Sequence, residues 1–306
     1  MASRHPVAAA LLGKVLAGRY RIVQLLGSGG IGDVYLGEPV GPGVSAARGE
    51  ARGRVAIKAL RAEHRGEADL VKRFLREAEA AARVRHPNVL GVLEPPVERD
   101  GDLWFVTELL LGLDLADTLG YSRSLGPARA VKLAAGAADG LAAAHAAGVV
   151  HRDVKPENIF LVHAADGSEG VKLLDFGFAW MPGDDAGQRF PGEGGVVGTP
   201  EYMAPEQAQG APAHGTADVY SLGIVLYEML AGRIPFAGAY PAIARLHAAQ
   251  PLPPLGVALS PELSRVVARA LAKDPAARFP TMEQLSRALL ASPEAGAGGA
   301  GEVRRV

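Results

Sequence analysis

His151-Arg152-Asp153-Val154-Lys155-Pro156-Glu157-Asn158 concentrates charged and amide side chains between two apolar runs, Val149-Val150 and Ile159-Phe160-Leu161-Val162. Polar groups gathered in a turn between apolar strands mark a site, not a solvated face. The five specified positions HRD-x-K-x-x-N arise by chance in a chain of this length with a probability of about one in ten thousand. Downstream, Val171-Lys172-Leu173-Leu174 runs into Asp175-Phe176-Gly177, a strand that delivers a carboxylate at its tip. Asn158 and Asp175 are hard oxygen ligands of the kind Mg²⁺ takes, completed by water and phosphate oxygens.

Upstream, Gly27-Ser28-Gly29-Gly30-Ile31-Gly32-Asp33-Val34 matches GxGxxGxV, in which glycines let backbone N–H groups close over phosphate oxygens. With 39 Gly in 306 residues, roughly 0.6 GxGxxG matches are expected from random placement. A second match, Gly296-Ala297-Gly298-Gly299-Ala300-Gly301, stands in the tail without a flanking strand or helix. The first is set apart by its context between two strand-like runs. That context is not the strand-to-helix turn of a dinucleotide fingerprint, which argues against a Rossmann site. Val55-Ala56-Ile57-Lys58 places a lysine in an apolar strand, where an ammonium needs an anionic partner. Glu77, on the helix predicted from Leu70, Phe74, Ala78 and Ala81, could reach it and leave Lys58 able to hold nucleotide phosphates. A lysine snorkelling from an edge strand is the alternative reading.

The ordered set GSGGIGDV, VAIK, Glu77, HRDVKPEN, DFG and Ala204-Pro205-Glu206 resembles the eukaryotic-type (Hanks-type) protein kinases over about residues 18–290. The resemblance implies an α+β, bilobal protein kinase fold. Its parts would be an N-terminal extension at 1–17, a small β-sheet lobe with one helix at 18–111, a larger, mostly helical lobe at 112–290, and a Gly/Ala-rich disordered tail at 291–306. It also implies ATP and Mg²⁺. Asp153 would orient the substrate hydroxyl and accept its proton, and Lys155 would steady the γ-phosphoryl group. Asn158 and Asp175 would hold Mg²⁺, and Lys58, paired with Glu77, would fix the α and β phosphates. Leu26, Gly27, Gly29 and Gly32 would cover the nucleotide, and backbone groups at Glu108 and Leu110 would bond adenine. Val34, Ala56 and Phe160 would sandwich the ring, with Thr107 at the back of the pocket and Asp114 near the ribose. Lys155 and the run Gly198-Thr199-Pro200-Glu201-Tyr202-Met203 are similar to serine/threonine kinases. Thr199 would bond Asp153 and Lys155, Asp218 would hold the catalytic-loop backbone, and Glu206 with Arg278 resembles the family's buried ion pair.

Composition sets the remaining bounds. Lys plus Arg is 32 and Asp plus Glu 33, a net charge of −1 without the basic excess of a nucleic-acid binder. The absence of Cys removes disulfides, thiolate metal sites and cysteine nucleophiles. No run of ~18 apolar residues suggests a membrane span, so the reading is a cytoplasmic protein with no nucleic-acid or membrane partner. The Ala- and Gly-rich composition gives the resemblance a bacterial style.

One departure concerns regulation. Arg152 before Asp153 usually accompanies switching by activation-loop phosphorylation. Between Gly177 and Ala204, however, only Thr199 and Tyr202 carry hydroxyls. One expectation is a loop ordered without phosphorylation, with Glu193, Asp184 or Asp185 facing Arg152. The other is that these acids belong to a solvated loop. Activation by a partner, or as a homodimer through the small lobe, stays open. The reading is therefore a serine/threonine protein kinase that transfers the ATP γ-phosphoryl group to Ser/Thr hydroxyls of proteins, itself included. A nucleotide-binding pseudokinase scaffold is the alternative. A small-molecule phosphotransferase is disfavoured by the GTPEY and APE segments.

Overall fold

Short β-branched and aliphatic runs bounded by glycine become strands, and the Ala- and Leu-rich runs become helices. The computed structural model describes residues 11–40, 53–163, 167–181 and 199–296. It divides into two compact units, Met1–Arg85 with Leu90–Leu111, and His86–Val89 with Gly112–Val306.

The first unit contains β1 (Val15–Leu16), β2 (Tyr20–Ser28), β3 (Gly32–Pro39), β4 (Val55–Leu60), α1 (Ala68–Arg83), β5 (Val92–Arg99) and β6 (Asp102–Glu108). The strands pair antiparallel in the order β1-β2-β3-β4-β6-β5. Side-chain alternation gives β4 two faces. Val55, Ile57 and Ala59 join Tyr20, Ile22, Tyr35, Trp104 and Val106 in one core. Leu60 turns the other way, onto Phe74 and Ala78 of α1. The same alternation puts Lys58 on the α1 side, where the helical spacing of Phe74, Glu77 and Ala78 presents a carboxylate.

Two sequence expectations shift here. Leu11 and Leu16, assigned to an extension, are each 5% exposed and belong to the first core. The strand expected near Val89–Leu93 starts only at Val92, and Val89 makes a lone parallel bridge to Leu173 instead. β5 carries Pro95 and Pro96 and is an edge strand with register breaks on both sides of Glu94, the setting in which residues lacking an N–H are tolerated. The expected 38–54 hairpin loop is closed at its base by Arg54 on Glu38, 2.9 Å apart, and residues 41–52 lie outside the described residues.

The second unit has a small antiparallel sheet of β7 (Gly112–Asp114), β8 (Ile159–His163) and β9 (Glu169–Leu173). Its helices are α2 (Leu115–Ser122), α3 (Pro127–Ala146), α4 (Pro205–Ala208), α5 (Gly215–Ala231), α6 (Ala242–Ala249), α7 (Pro261–Ala270), α8 (Met282–Leu290) and α9 (Pro293–Gly296). Gly112 is dictated by the sheet: a Cβ there would lie 1.8 Å from the Leu161 carbonyl oxygen. α3 and α5 stop at Gly148 and Gly232, whose φ of 77° and 69° is the left-handed stop that glycine adopts most easily. α5 is buried on nearly every side and is the axis around which α3, α7 and α8 pack, with fully buried Asp218 as its charged exception. Val149-Val150, read as a strand, contributes a single bridge from Val150 to Trp180. Residues 291–296, assigned to the tail, are part of the fold. Glu294 of α9 accepts the Ser260 N–H and hydroxyl at 2.7 and 2.8 Å.

Candidate active site

The catalytic-loop run is held from below by one carboxylate. Asp218 accepts the backbone N–H groups of His151 and Arg152 at 2.9 and 2.8 Å, and His145 Nε2 lies 2.8 Å from the same carboxylate. Burial pushes its carboxyl pKa up, and the His145 hydrogen bond and charge, the His151 charge and the Arg152 N–H together outweigh it and leave it lowered. The loop thus hangs on an ionised group inside the helical core. Arg152 pays with a φ of 65°, uncommon for a residue with a Cβ. Gln207 locks this turn further, donating to the Arg152 carbonyl at 3.1 Å and accepting the Ala204 N–H at 3.1 Å.

The loop's side chains then converge. Lys155 Nζ lies 2.8 Å from Asp153 Oδ2 and donates to Thr199 Oγ at 2.9 Å, so Thr199 is joined to Asp153 through the lysine. Asn158 donates its amide to the Asp153 carbonyl and carboxylate at 2.8 and 3.2 Å. Spending the NH₂ there leaves the amide oxygen on the other side of the group, as the atom a hard cation would take. The Leu174 N–H bonds the Asn158 carbonyl at 2.8 Å, which brings Asp175 to the next position along. Asp175 has a φ of 50°, and its carboxylate accepts the Gly177 N–H at 3.0 Å. His151 supports this strained residue from both sides, its Nε2 3.0 Å from the Leu174 carbonyl and its ring 4.7 Å from that of buried Phe176. Among the described residues no group of three or more His, Asp or Glu is placed to hold a metal. The Asn158 and Asp175 oxygens suit Mg²⁺, which keeps several waters and takes phosphate oxygens as further ligands.

In the first unit, Lys58 Nζ meets both Glu77 oxygens at 2.5 and 2.6 Å. The glycine loop joins β2 to β3, with Gly27 opposite Val34 and Ser28 opposite Asp33, and the Gly29 N–H bonds the Gly32 carbonyl at 2.9 Å. Its glycines serve different ends. A Cβ at Gly32 would come within 2.8 Å of the Ala59 carbonyl oxygen, so packing of β3 on β4 demands it, whereas one at Gly27 or Gly30 would meet nothing within 4 Å. Thr107 is buried opposite Ala56 on β4, and its hydroxyl donates to the Glu108 carbonyl at 3.2 Å. Glu108 turns its N–H and carboxylate to Gly91, at 3.0 and 2.7 Å. Leu26 is exposed and Val34 half-buried on the neighbouring strands, and Leu110 follows β6. In the second unit Asp114 pairs with half-buried Phe160 and caps α2, accepting the Asp117 N–H at 2.7 Å.

A model of the protein kinase domain matches residues 20–290. The chain belongs to the protein kinase family. It is 40% identical over 282 residues to the serine/threonine-protein kinase PkaB of Streptomyces coelicolor, covering 90% of this chain and 64% of that one. Against the serine/threonine-protein kinase pkn2 of Myxococcus xanthus it is 40% identical over 290 residues, 92% of this chain and 33% of the relative. The kinase domain therefore spans between a third and about two thirds of these relatives' length. Among solved structures it is similar to the PknI kinase domain of Mycobacterium tuberculosis, with a TM-score of 0.64 and 30% identity over 90% of this chain and 96% of that one.

Several parts of this kinase domain escaped the sequence reading. His145 carries the third contact to Asp218; its signal was a lone polar residue in the run Ala142-Ala143-Ala144-His145-Ala146-Ala147. Tyr202 donates to Glu228 at 2.7 Å, where burial first and then the Glu228 charge push the phenol pKa up. Arg278 meets Glu206 with two bonds of 2.7 and 2.8 Å, as the motif order suggested. Asp184, Asp185 and Glu193, named as candidates to face Arg152, lie outside the described residues. Among the described residues no helix is long and apolar enough to cross a membrane.

Proposed function

We propose that this chain is an ATP-dependent serine/threonine protein kinase. The observation that carries the reading is the Lys155 ammonium shared between Asp153 and Thr199 above a loop anchored on Asp218. Asp153 Oδ2 is held by Lys155 and Asn158 in one orientation. A carboxylate so fixed can take a hydrogen bond from an incoming hydroxyl and receive its proton as the oxygen attacks phosphorus. Lys155 supplies a positive charge at the same point, where negative charge accumulates on the transferring group. Asn158 and Asp175 would hold Mg²⁺, which when bound neutralises phosphate charge. Lys58, oriented by Glu77, would grip the α and β phosphates, and open backbone at Gly27 and Gly30 would let the loop approach them. The Glu108 carbonyl, which already accepts the Thr107 hydroxyl at 3.2 Å, would take the adenine amino group as a second donor, while Leu110 would supply an N–H. Protein serine and threonine hydroxyls as acceptors, a cytoplasmic setting and a role in signalling belong to the same proposal.

The test uses phosphatase-treated protein, Mg-ATP and a generic basic peptide, with phosphosites mapped by mass spectrometry beside Asp153→Asn. Phosphate should appear on serine or threonine and fall by about 10²–10⁴-fold in the variant. ATP binding without any transfer would favour the nucleotide-binding scaffold instead.

A further inference from the structure

The two hydroxyls of the activation segment are both committed: Thr199 to Lys155 at 2.9 Å, and Tyr202 to Glu228 at 2.7 Å. An exposed hydroxyl stands instead in the glycine loop. Ser28 is exposed, and its Oγ donates to Asp33 Oδ1 at 2.8 Å. Asp33 itself is 4% exposed and fixed from behind by Arg61 Nε at 3.1 Å and by the Tyr35 hydroxyl. Beside the strand pairing of Ser28 with Asp33, the loop is thus tied by a side-chain bond to a buried carboxylate that has two further partners, and chemistry at Ser28 would remove the donor of that bond.

We propose that Ser28 is phosphorylated by a second copy of this chain and that the modification weakens nucleotide binding. The proposal rests on the kinase reading above. Ser28 Oγ attacks the γ-phosphorus of ATP, the bond to the β-phosphate bridging oxygen breaks, ADP leaves, and the hydroxyl proton passes to Asp153 of the acting copy. The product replaces a donor with a group of charge about −1.5 to −2. That charge faces the Asp33 carboxylate, whose other partners hold it in place, so the loop is the side that moves. The same charge repels the phosphates of ATP where the loop would cover them. A kinase regulated in this way slows itself as its own copies accumulate phosphate, without using the activation segment.

Phosphatase-treated wild type and Ser28→Ala are incubated with Mg-ATP, and the KM for ATP is measured on a generic peptide at the start and the end. In parallel, wild type is mixed with Asp153→Asn and both chains are mapped for phosphate. The expected result is phosphate on Ser28 of the Asp153→Asn chain only when wild type is present. The wild-type KM for ATP should rise about tenfold over the incubation, with no drift in Ser28→Ala. Peptide phosphorylation with unmodified Ser28 overturns this proposal and leaves the kinase reading standing. A modified Ser28 with an unchanged or lower KM, as when Arg61 captures the phosphate and tightens the loop, also overturns it. Transfer to neither peptide nor protein sinks the parent reading and this one with it.

Discussion

Lys58–Glu77 in the first unit and Arg278–Glu206 in the second are both carboxylate–cation pairs turned into a core, with closest contacts of 2.5 and 2.7 Å. Their surroundings differ. The Arg278 side chain is fully buried and spends all five N–H donors: two on Glu206 and one each on the carbonyls of Ala272, Thr216 and Lys273. Its guanidinium also lies 4.8 Å from the centre of the Tyr220 ring. Lys58 keeps 17% of its side chain exposed and ends in a compact, rotatable ammonium. A saturated, water-excluded arginine can only hold the fold, whereas a lysine with a wet side can share its charge with an anion. The difference separates a pair that keeps a structure from a pair that prepares a site.

The largest effect is expected where saturation is complete. Arg278→Ala strips Glu206 of its buried cation and takes a donor from three carbonyls, and should cost about 3–5 kcal/mol, read from denaturant unfolding. Arg278→Lys should recover only part of it, because an ammonium cannot reproduce the fork. Wild-type stability in Arg278→Ala would remove the structural half of the comparison. Lys58→Met should show the reverse balance: phosphoryl transfer down about 10²–10³-fold, with a stability loss of only about 1–3 kcal/mol, because the Glu77 carboxyl left behind can protonate. A stability loss equal to that of Arg278→Ala would mean that exposure is not what separates the two pairs.

What was legible in the sequence follows from how local each contact is. Asp153, Lys155 and Asn158 lie within one short run, and their types and spacing announced a site before any fold was known. Lys58 was likewise legible as the one charge in an apolar strand, in need of an anion, and Glu77 as a carboxylate on the predicted helix able to reach it. His145 was not legible, because the carboxylate it bonds lies 73 residues away on another helix and an alanine-rich run gives no hint of a charged neighbour. The Asp33–Arg61 contact, 28 residues apart, depends on strand register, which patterning alone does not fix. Leu11 and Leu16 looked like lead-in because the stretch is short, and only the assembled sheet, with Tyr20, Ile57 and Trp104 in the same core, shows what they cover. Pro95 and Pro96 would argue against a strand in isolation; an edge position makes them acceptable, and edges are a property of the assembled sheet.

Acid should test the second unit before the first. His247 is fully buried, Tyr220 Oη lies 3.0 Å from its Nδ1, and Lys273 and Phe236 stand on the same side. Burial first and the Lys273 charge second hold the imidazole down to about 4. Between the ordinary histidine value and that figure the unfolded chain binds the extra proton and the folded one does not. Stability therefore falls as pH drops through the window from about 6.5 to 4, by up to about 3 kcal/mol. Lys273, pushed down to about 8 by burial and by Arg278, adds a gain as pH rises from 8 toward 10.5. Thermal unfolding of wild type and His247→Gln across the acid window should give a flatter profile in the variant. Equal slopes would place the acid lability elsewhere.

The smallest effect isolates burial from geometry. Arg129 also grips Glu169 with a two-pronged fork, through Nε and Nη2 at 2.8 and 2.7 Å where Arg278 uses Nη1 and Nη2, but its side chain is 42% exposed. If fork geometry alone set the worth of a pair, Arg129→Ala would rival Arg278→Ala. If burial and the carbonyl partners set it, the cost stays below about 1 kcal/mol and shrinks further in added salt, because solvent ions screen an exposed pair and do not reach an enclosed one. Unfolding of both variants at low and high ionic strength decides this. A salt-insensitive loss at Arg129 as large as that at Arg278 would mean the fork itself is the stabilising element, and the contrast between Lys58 and Arg278 would then reduce to lysine against arginine.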